Sequence, residues 1–129
     1  MKNSIKYIKV VLDENGNIVD FFSNLDNTKY KKEEVIGKNW FDIFIDPINK
    51  EKIFKVFKEI ISGNEKDYET YNNDIKCKDG THKFIDFYNK LIIKDGKKYT
   101  FSVGMEHKDY DKDLLYHLAH TFFYSSLFC

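Results

Sequence analysis

Apolar positions change period several times along the chain, and each change marks an element. Residues 6–12, KYIKVVL, alternate loosely, and residues 18–22 do so again. A spacing of two predicts strands. Between them stands Asp13-Glu14-Asn15-Gly16, and Asn-Gly accepts the positive φ of a tight turn, so the chain is expected to open with a hairpin. Residues 24–32 are polar, with Leu25 and Tyr30 as anchors, and read as turns or short helical pieces. Lys32-Glu33-Glu34-Val35-Ile36-Gly37 reads as a short helix stopped at its glycine.

The stretch 35–63 is the most apolar and most helical part, and it holds the only Trp (Trp40) and the only Pro (Pro47). Its second half predicts a helix. Asp46 can accept orphan N–H bonds at the N-cap, and Pro47 is tolerated at the first helical position. Ile53, Val56, Phe57 and Ile60 follow at helical spacing, with Phe54 and Ile61 widening the stripe. Ser62-Gly63-Asn64 ends it. Its first half, Trp40-Phe41-Asp42-Ile43-Phe44-Ile45, is short and aromatic. We expect the whole stretch to act as a lid over a half-open sheet.

After Gly63 the period returns to two over residues 68–76, 83–93 and 98–105, with turns at Asp79-Gly80 and Asp95-Gly96. This pattern predicts a three-stranded meander. Two strands, a helical insertion and three further strands make an α+β fold, with helices gathered on one face of an antiparallel sheet. From residue 108 to 120 the period is helical again, with Leu114, Leu115, Leu118 and Ala119 in a narrow stripe. A narrow stripe suits a helix that pairs with another helix. A homodimer is therefore expected through the Leu114/Leu118 seam and the N-terminal strand edge. Residues 122–129, FFYSSLFC, are strongly apolar and unlike the rest.

Composition narrows the function classes. With 129 residues the chain is expected to be one domain with a core of its own. Its 21 basic and 21 acidic residues balance, and every basic residue is Lys. Neither a net field nor an Arg fork is present to favour nucleic acid. No apolar run reaches the ~20 residues of a membrane span. No signal peptide is recognisable. Cys77 and Cys129 are too few for a disulfide framework or a zinc site. The expected compartment is a reducing cytoplasm.

Four pieces resemble a PAS domain, the sensory module of bacterial signalling proteins. They are the hairpin with Asn15-Gly16; the run Glu33-Glu34-Val35-Ile36-Gly37-Lys38-Asn39-Trp40-Phe41; residues 75–80; and Ile85, Phe87 and Asn89 with Gly104. The resemblance covers roughly residues 6–106. It implies a five-stranded sheet in the order 2-1-5-4-3, helices on one face enclosing a pocket, and a sensor domain spanning residues 1–106. It also implies a signalling helix and tail over residues 107–129. PAS domains bind haem, flavin, small organic acids or other metabolites, or nothing, and many dimerise. Two departures stand out. Glu106-His107-Lys108 replaces the Asp-Ile-Thr triplet frequent at the end of these domains. Trp40 replaces the Cys that flavin photosensors need. The run Leu114-Leu115-Tyr116-His117-Leu118-Ala119-His120-Thr121 is similar to the linker that leads into diguanylate cyclase (GGDEF) domains. That family's Asp and Leu-Thr-Gly-Leu do not follow, so residues from Phe122 onward read as a truncated or frameshifted end.

Candidate chemistry points to binding, with no catalytic residue and no metal site expected. His82 is expected in solvent, His107 just after the last strand, and His117 and His120 on a helix surface. None supplies a zinc set, and residues 47–62 offer no His for a haem. Thr121-Phe122 after His120 does not match a kinase phosphoacceptor. Asp86, between Ile85 and Phe87, should point away from its neighbours' face. The expected pocket is lined by Trp40, Phe44, Phe57 and Ile61 from the lid, and by Tyr71, Asn73, Phe87, Asn89, Phe101 and Val103 from the sheet. Asn73 and Asn89 carry the argument for a ligand, because a buried amide must find a partner. That partner could equally be backbone, and the same residues could simply fill a core. Two readings follow: a ligand-binding sensor that signals to an output domain through its C-terminal helix, with the cofactor or ligand unknown, or a ligand-free dimerisation scaffold.

Overall fold

The opening turn shows how side chains shape this chain. The computed structural model describes residues 5–26, 28–107 and 112–128. In it, strands β1 (Ile8–Leu12) and β2 (Ile18–Ser23) form the expected hairpin. The Asp13 carboxylate accepts from the backbone N–H groups of Asn15 and Asn17, each at 2.9 Å. Gly16 sits at φ +85°, and a Cβ there would lie 2.7 Å from the Phe41 ring. Glycine is thus required by both backbone and packing.

Helices α1 (Lys32–Val35), α2 (Trp40–Ile43) and α3 (Pro47–Ile61) follow. Asn39 caps α2 by accepting from the Phe41 N–H at 3.0 Å. Its amide also donates to the Asn15 carbonyl (3.0 Å) and to Asn17 Oδ1 (3.1 Å), so one side chain ties the lid to the hairpin turn. Asp46 caps α3 through the Ile48 N–H at 3.1 Å, with Pro47 at the first position, as the sequence predicts.

Strands β3 (Thr70–Lys76), β4 (His82–Lys94) and β5 (Lys97–Glu106) form the meander. A 3-10 turn at Lys66–Tyr68 delays β3 by two residues relative to the expected start at Tyr68. The sheet order is β2-β1-β5-β4-β3, the PAS-like α+β topology. Strand β1 pairs on both sides, so the sheet's edges are β2 and β3. The N-terminal strand therefore offers no free edge for association, contrary to expectation.

Helix α4 (Lys112–Phe128) closes the chain. The expected helix residues from Lys108 to Asp111, and Cys129, lie outside the described residues. Both sheet faces are covered. Ile8, Val10, Ile85 and Phe87 face Phe41, Phe44, Ile53 and Phe57 of the lid. On the opposite face Tyr88, Ile92, Phe101, Val103 and Met105 meet Leu115 and Ala119 of α4. Leu114 and Leu118 are half-buried against the same cluster. Leu115 and Ala119 of the narrow stripe are thus spent on the protomer's own sheet. Burying one Leu contributes about 1.5–3 kcal/mol. Among the described residues, no helix is long and apolar enough to cross a membrane.

Candidate functional site under the helical lid

A cavity of about 50 Å³ lies between the lid and the sheet. Trp40 and Phe41 of α2 and Ile53, Val56, Phe57 and Ile60 of α3 form its apolar roof. The floor is mixed. Val10, Leu12 and Phe87 supply apolar surface, while Tyr71, Asn73, Asn89, Thr100 and Ser102 bring polar groups. Cross-strand register places the last group together, because Asn89 stands opposite Ser102 and Tyr71 opposite Phe87.

Asn89, only 7% exposed, is the floor's central polar residue. Its Nδ2 donates to the Tyr68 carbonyl at 3.0 Å, and its Oδ1 accepts from Ser102 Oγ at 2.6 Å. Its backbone N–H donates to the Glu69 carbonyl at 2.7 Å. The amide therefore finds partners within the protein. Asn73 likewise donates to the Asp74 carbonyl at 3.1 Å.

Of the residues expected in the pocket, Trp40, Phe57, Tyr71, Asn73, Phe87 and Asn89 line the cavity. Phe44 and Ile61 belong to the same core but stand outside it; Phe44 stacks on Trp40 with ring centroids 4.4 Å apart. Phe101 and Val103 do not face the cavity at all. They lie beneath α4, in register with Lys90 and Tyr88. Strand side chains alternate faces, so the inward residues of β5 are Thr100, Ser102 and Gly104. The expectation chose the large apolar residues as inward, but α4 makes the outer face apolar too. The lid's Ile53, Val56 and Ile60 were legible at helical spacing yet omitted from the expected lining. Thr100 and Ser102 are small and polar, and only the β4/β5 register would have found them.

The histidines are more engaged than expected. His82 Nδ1 lies 2.6 Å from Asp74, and its Nε2 lies 3.7 Å from Asp46 at the α3 cap. It is exposed, as expected, and also joins β3 to the lid. His107 pairs with Asp86 at 2.8 Å on the outer face, the direction expected for Asp86. His117 is exposed, but His120 is half-buried with its Nε2 3.1 Å from Tyr88 Oη, so it is not a plain surface residue. Burial, then the hydrogen bond and charge of Glu69, push the Tyr88 phenol well above its ordinary value. Burial also pushes the Cys77 thiol up, which keeps it protonated and unreactive. Among the described residues, no three His, Cys, Asp or Glu side chains gather as a metal set.

The cavity can therefore offer hydrogen bonds and apolar contact. Among the described residues, its lining contains no Lys, His, Asp or Glu. A buried carboxylate would be costly there, because burying an unpaired charge costs far more than burying a neutral polar group.

No family model matches the sequence, and no curated protein matches it. Solved structures do match. The Cronobacter turicensis RpfR quorum-sensing receptor PAS domain in complex with BDSF aligns at 22% identity and TM-score 0.63, covering 84% of this chain and 100% of its own. The same domain in complex with C12:0 aligns at TM-score 0.65, with the same identity and coverage. Drosophila melanogaster Cycle PAS-B with bound ethylene glycol aligns at 9% identity and TM-score 0.62, covering 77% of this chain and 98% of its own. At such identities the likeness establishes the fold, which is that of PAS domains.

Proposed function

We propose that this chain is a sensory PAS domain of a bacterial signalling protein, binding a small molecule under its lid and reporting through α4. One observation carries the reading: a cavity with an apolar roof and a polar floor at the centre of the fold. The bound molecules named for the RpfR and Cycle domains support a binding role. The ligand class follows from the lining and the size. A cavity of about 50 Å³ is far below the roughly 300–1,000 Å³ of sites for drug-sized molecules, so the ligand is small. With no charged side chain in the lining, the ligand is uncharged, carrying one hydrogen-bonding end for Asn89 and Ser102 and one apolar end for Phe57. The role is binding and not catalysis. A cytoplasmic setting belongs to the same reading.

The output domain is proposed to be a diguanylate cyclase, on the similarity of residues 114–121 to the linker of that family. A homodimer through α4 belongs to the proposal in a modified form. Leu115 and Ala119 are occupied by the protomer's own sheet, so pairing requires α4 to leave it. Association and docking then compete, and light scattering should detect more dimer in a variant that loosens α4. Equal association in the two chains would contradict this competition.

One observation favours the alternative of a ligand-free scaffold: Asn89 already has partners for its amide. Denaturing natively purified protein and analysing the released molecules by mass spectrometry separates the two. A stoichiometric small molecule supports the sensor. An empty chain that also shows no NMR shift changes on titration with small alcohols and amides supports the scaffold.

A further inference from the structure

Consecutive residues of β4 hold the same segment from opposite faces of the sheet. Asn89, on the cavity floor, takes the Tyr68 and Glu69 carbonyls with its side chain and backbone N–H. Tyr88, on the outer face and 4% exposed, donates its O–H to Glu69 Oε2 at 2.7 Å. Glu65 of the same segment accepts from the Leu91 N–H at 2.6 Å. The segment 65–69 is therefore strapped to β4 by four hydrogen bonds, two of them made by the residue on the cavity floor.

The outer end of this strap reaches α4. His120 Nε2 lies 3.1 Å from the same Tyr88 oxygen, and the two rings are 5.4 Å apart. A carboxylate can only accept, so the phenol hydrogen points to Glu69, and the phenol oxygen accepts from His120 Nε2–H. The order is His120 to Tyr88 to Glu69, with a charged acceptor at the end, which makes the chain stronger than a neutral pair. Tyr116 flanks His120 at 4.1 Å between ring centroids and Tyr88 at 5.6 Å.

We infer that Glu69, Tyr88 and His120 form the latch through which the cavity floor controls the docking of α4. The inference rests on the sensor reading above and deepens it. A ligand that bonds to the Asn89 amide displaces the Tyr68 carbonyl or Ser102. The strap then shifts, the Glu69 carboxylate moves with it, and the phenol loses the acceptor that orients it toward His120. Occupancy of the cavity thereby becomes looser or tighter seating of one helix on the far side of the sheet.

The latch is tested without any ligand, by hydrogen exchange of the α4 amides 115–120 in four chains: wild type, Glu69→Ala, Tyr88→Phe and the double variant. Glu69 is exposed, and Phe keeps the buried ring of Tyr88, so all four should fold; far-ultraviolet circular dichroism verifies this. Glu69→Ala should speed α4 exchange by roughly tenfold, the size expected for a hydrogen bond to a charged group. Tyr88→Phe should do the same, and adding Glu69→Ala to it should change nothing further. As a second readout, the His120 ring resonances should shift in Glu69→Ala, although the structure gives the two side chains no direct hydrogen bond. Unchanged α4 exchange in Glu69→Ala, or an undiminished effect of Glu69→Ala in the Tyr88→Phe background, overturns the latch. An empty cavity would sink the sensor reading while leaving this result intact, so the two failures are distinguishable.

Discussion

Tyr88 and Gly104 show how much one position decides. The Tyr88 phenol is held neutral in the folded chain by burial and by Glu69. Its folded-state value is raised, so its contribution is fully present below the ordinary phenol value of about 10 and is lost as pH rises above it. Urea unfolding at pH 8 and pH 11 should therefore show a larger alkaline loss in wild type than in Tyr88→Phe; equal losses contradict this. Gly104 lies against the inner face, where a Cβ would stand 2.5 Å from Ile85 Cγ2 and 2.8 Å from the Phe87 ring. Gly104→Ala should cost about 1–3 kcal/mol by thermal unfolding, because overpacking strains a close-packed core. The resemblance to PAS domains singled out Gly104 and Asn89, and the packing that requires Gly104 is visible only in the structure. The sequence pattern put Phe101 and Val103 on the wrong face, since a slip of one residue in a strand exchanges faces and only the pairing of Asn89 with Ser102 settles which way they point.

Among elements, α3 was the most legible, because its cap, its proline and its apolar spacing agree. Helix α4 was legible as a helix but not in its partner. Its stripe, Leu115 and Ala119 with Leu114 and Leu118 beside them, fits another helix or a sheet equally well in sequence, and the apolar outer face of β4 and β5 decides the matter. The two elements should fail differently when cut. Phe57→Ala removes a ring from the lid core and should cost about 3–5 kcal/mol in global unfolding. Leu115→Ala should cost about 2 kcal/mol and speed hydrogen exchange in α4 ahead of the strands. Equal protection losses in α4 and β5 for Leu115→Ala would mean that α4 does not open on its own.

At the scale of the molecule, the sheet order was legible because three Asx-Gly turns and one helical insertion leave few ways to pair five strands. The cavity was legible only in outline, since its volume depends on how the lid's rings pack. Charge acts across the fold through Asp20, which links β2 to β1 and α1 by pairing with Lys9 at 3.4 Å and Lys32 at 2.9 Å. Burial alone would raise its carboxyl, but the hydrogen bonds and charges of Lys32 and Lys9 outweigh this and lower it. A depressed carboxyl stabilises the fold above its ordinary value and loses that contribution as pH falls through its folded-state value. Asp20→Asn should therefore narrow the difference in melting temperature between pH 7 and pH 3.

The proposed sensor requires a small molecule seated between α3 and the sheet. Val56→Trp fills that space from the roof at a half-buried position. Native purification, denaturation and mass spectrometry of wild type and Val56→Trp should release one small uncharged molecule per wild-type chain and none from the variant, with the fold kept in both. Nothing released from the wild type, or equal amounts from the two, would contradict it.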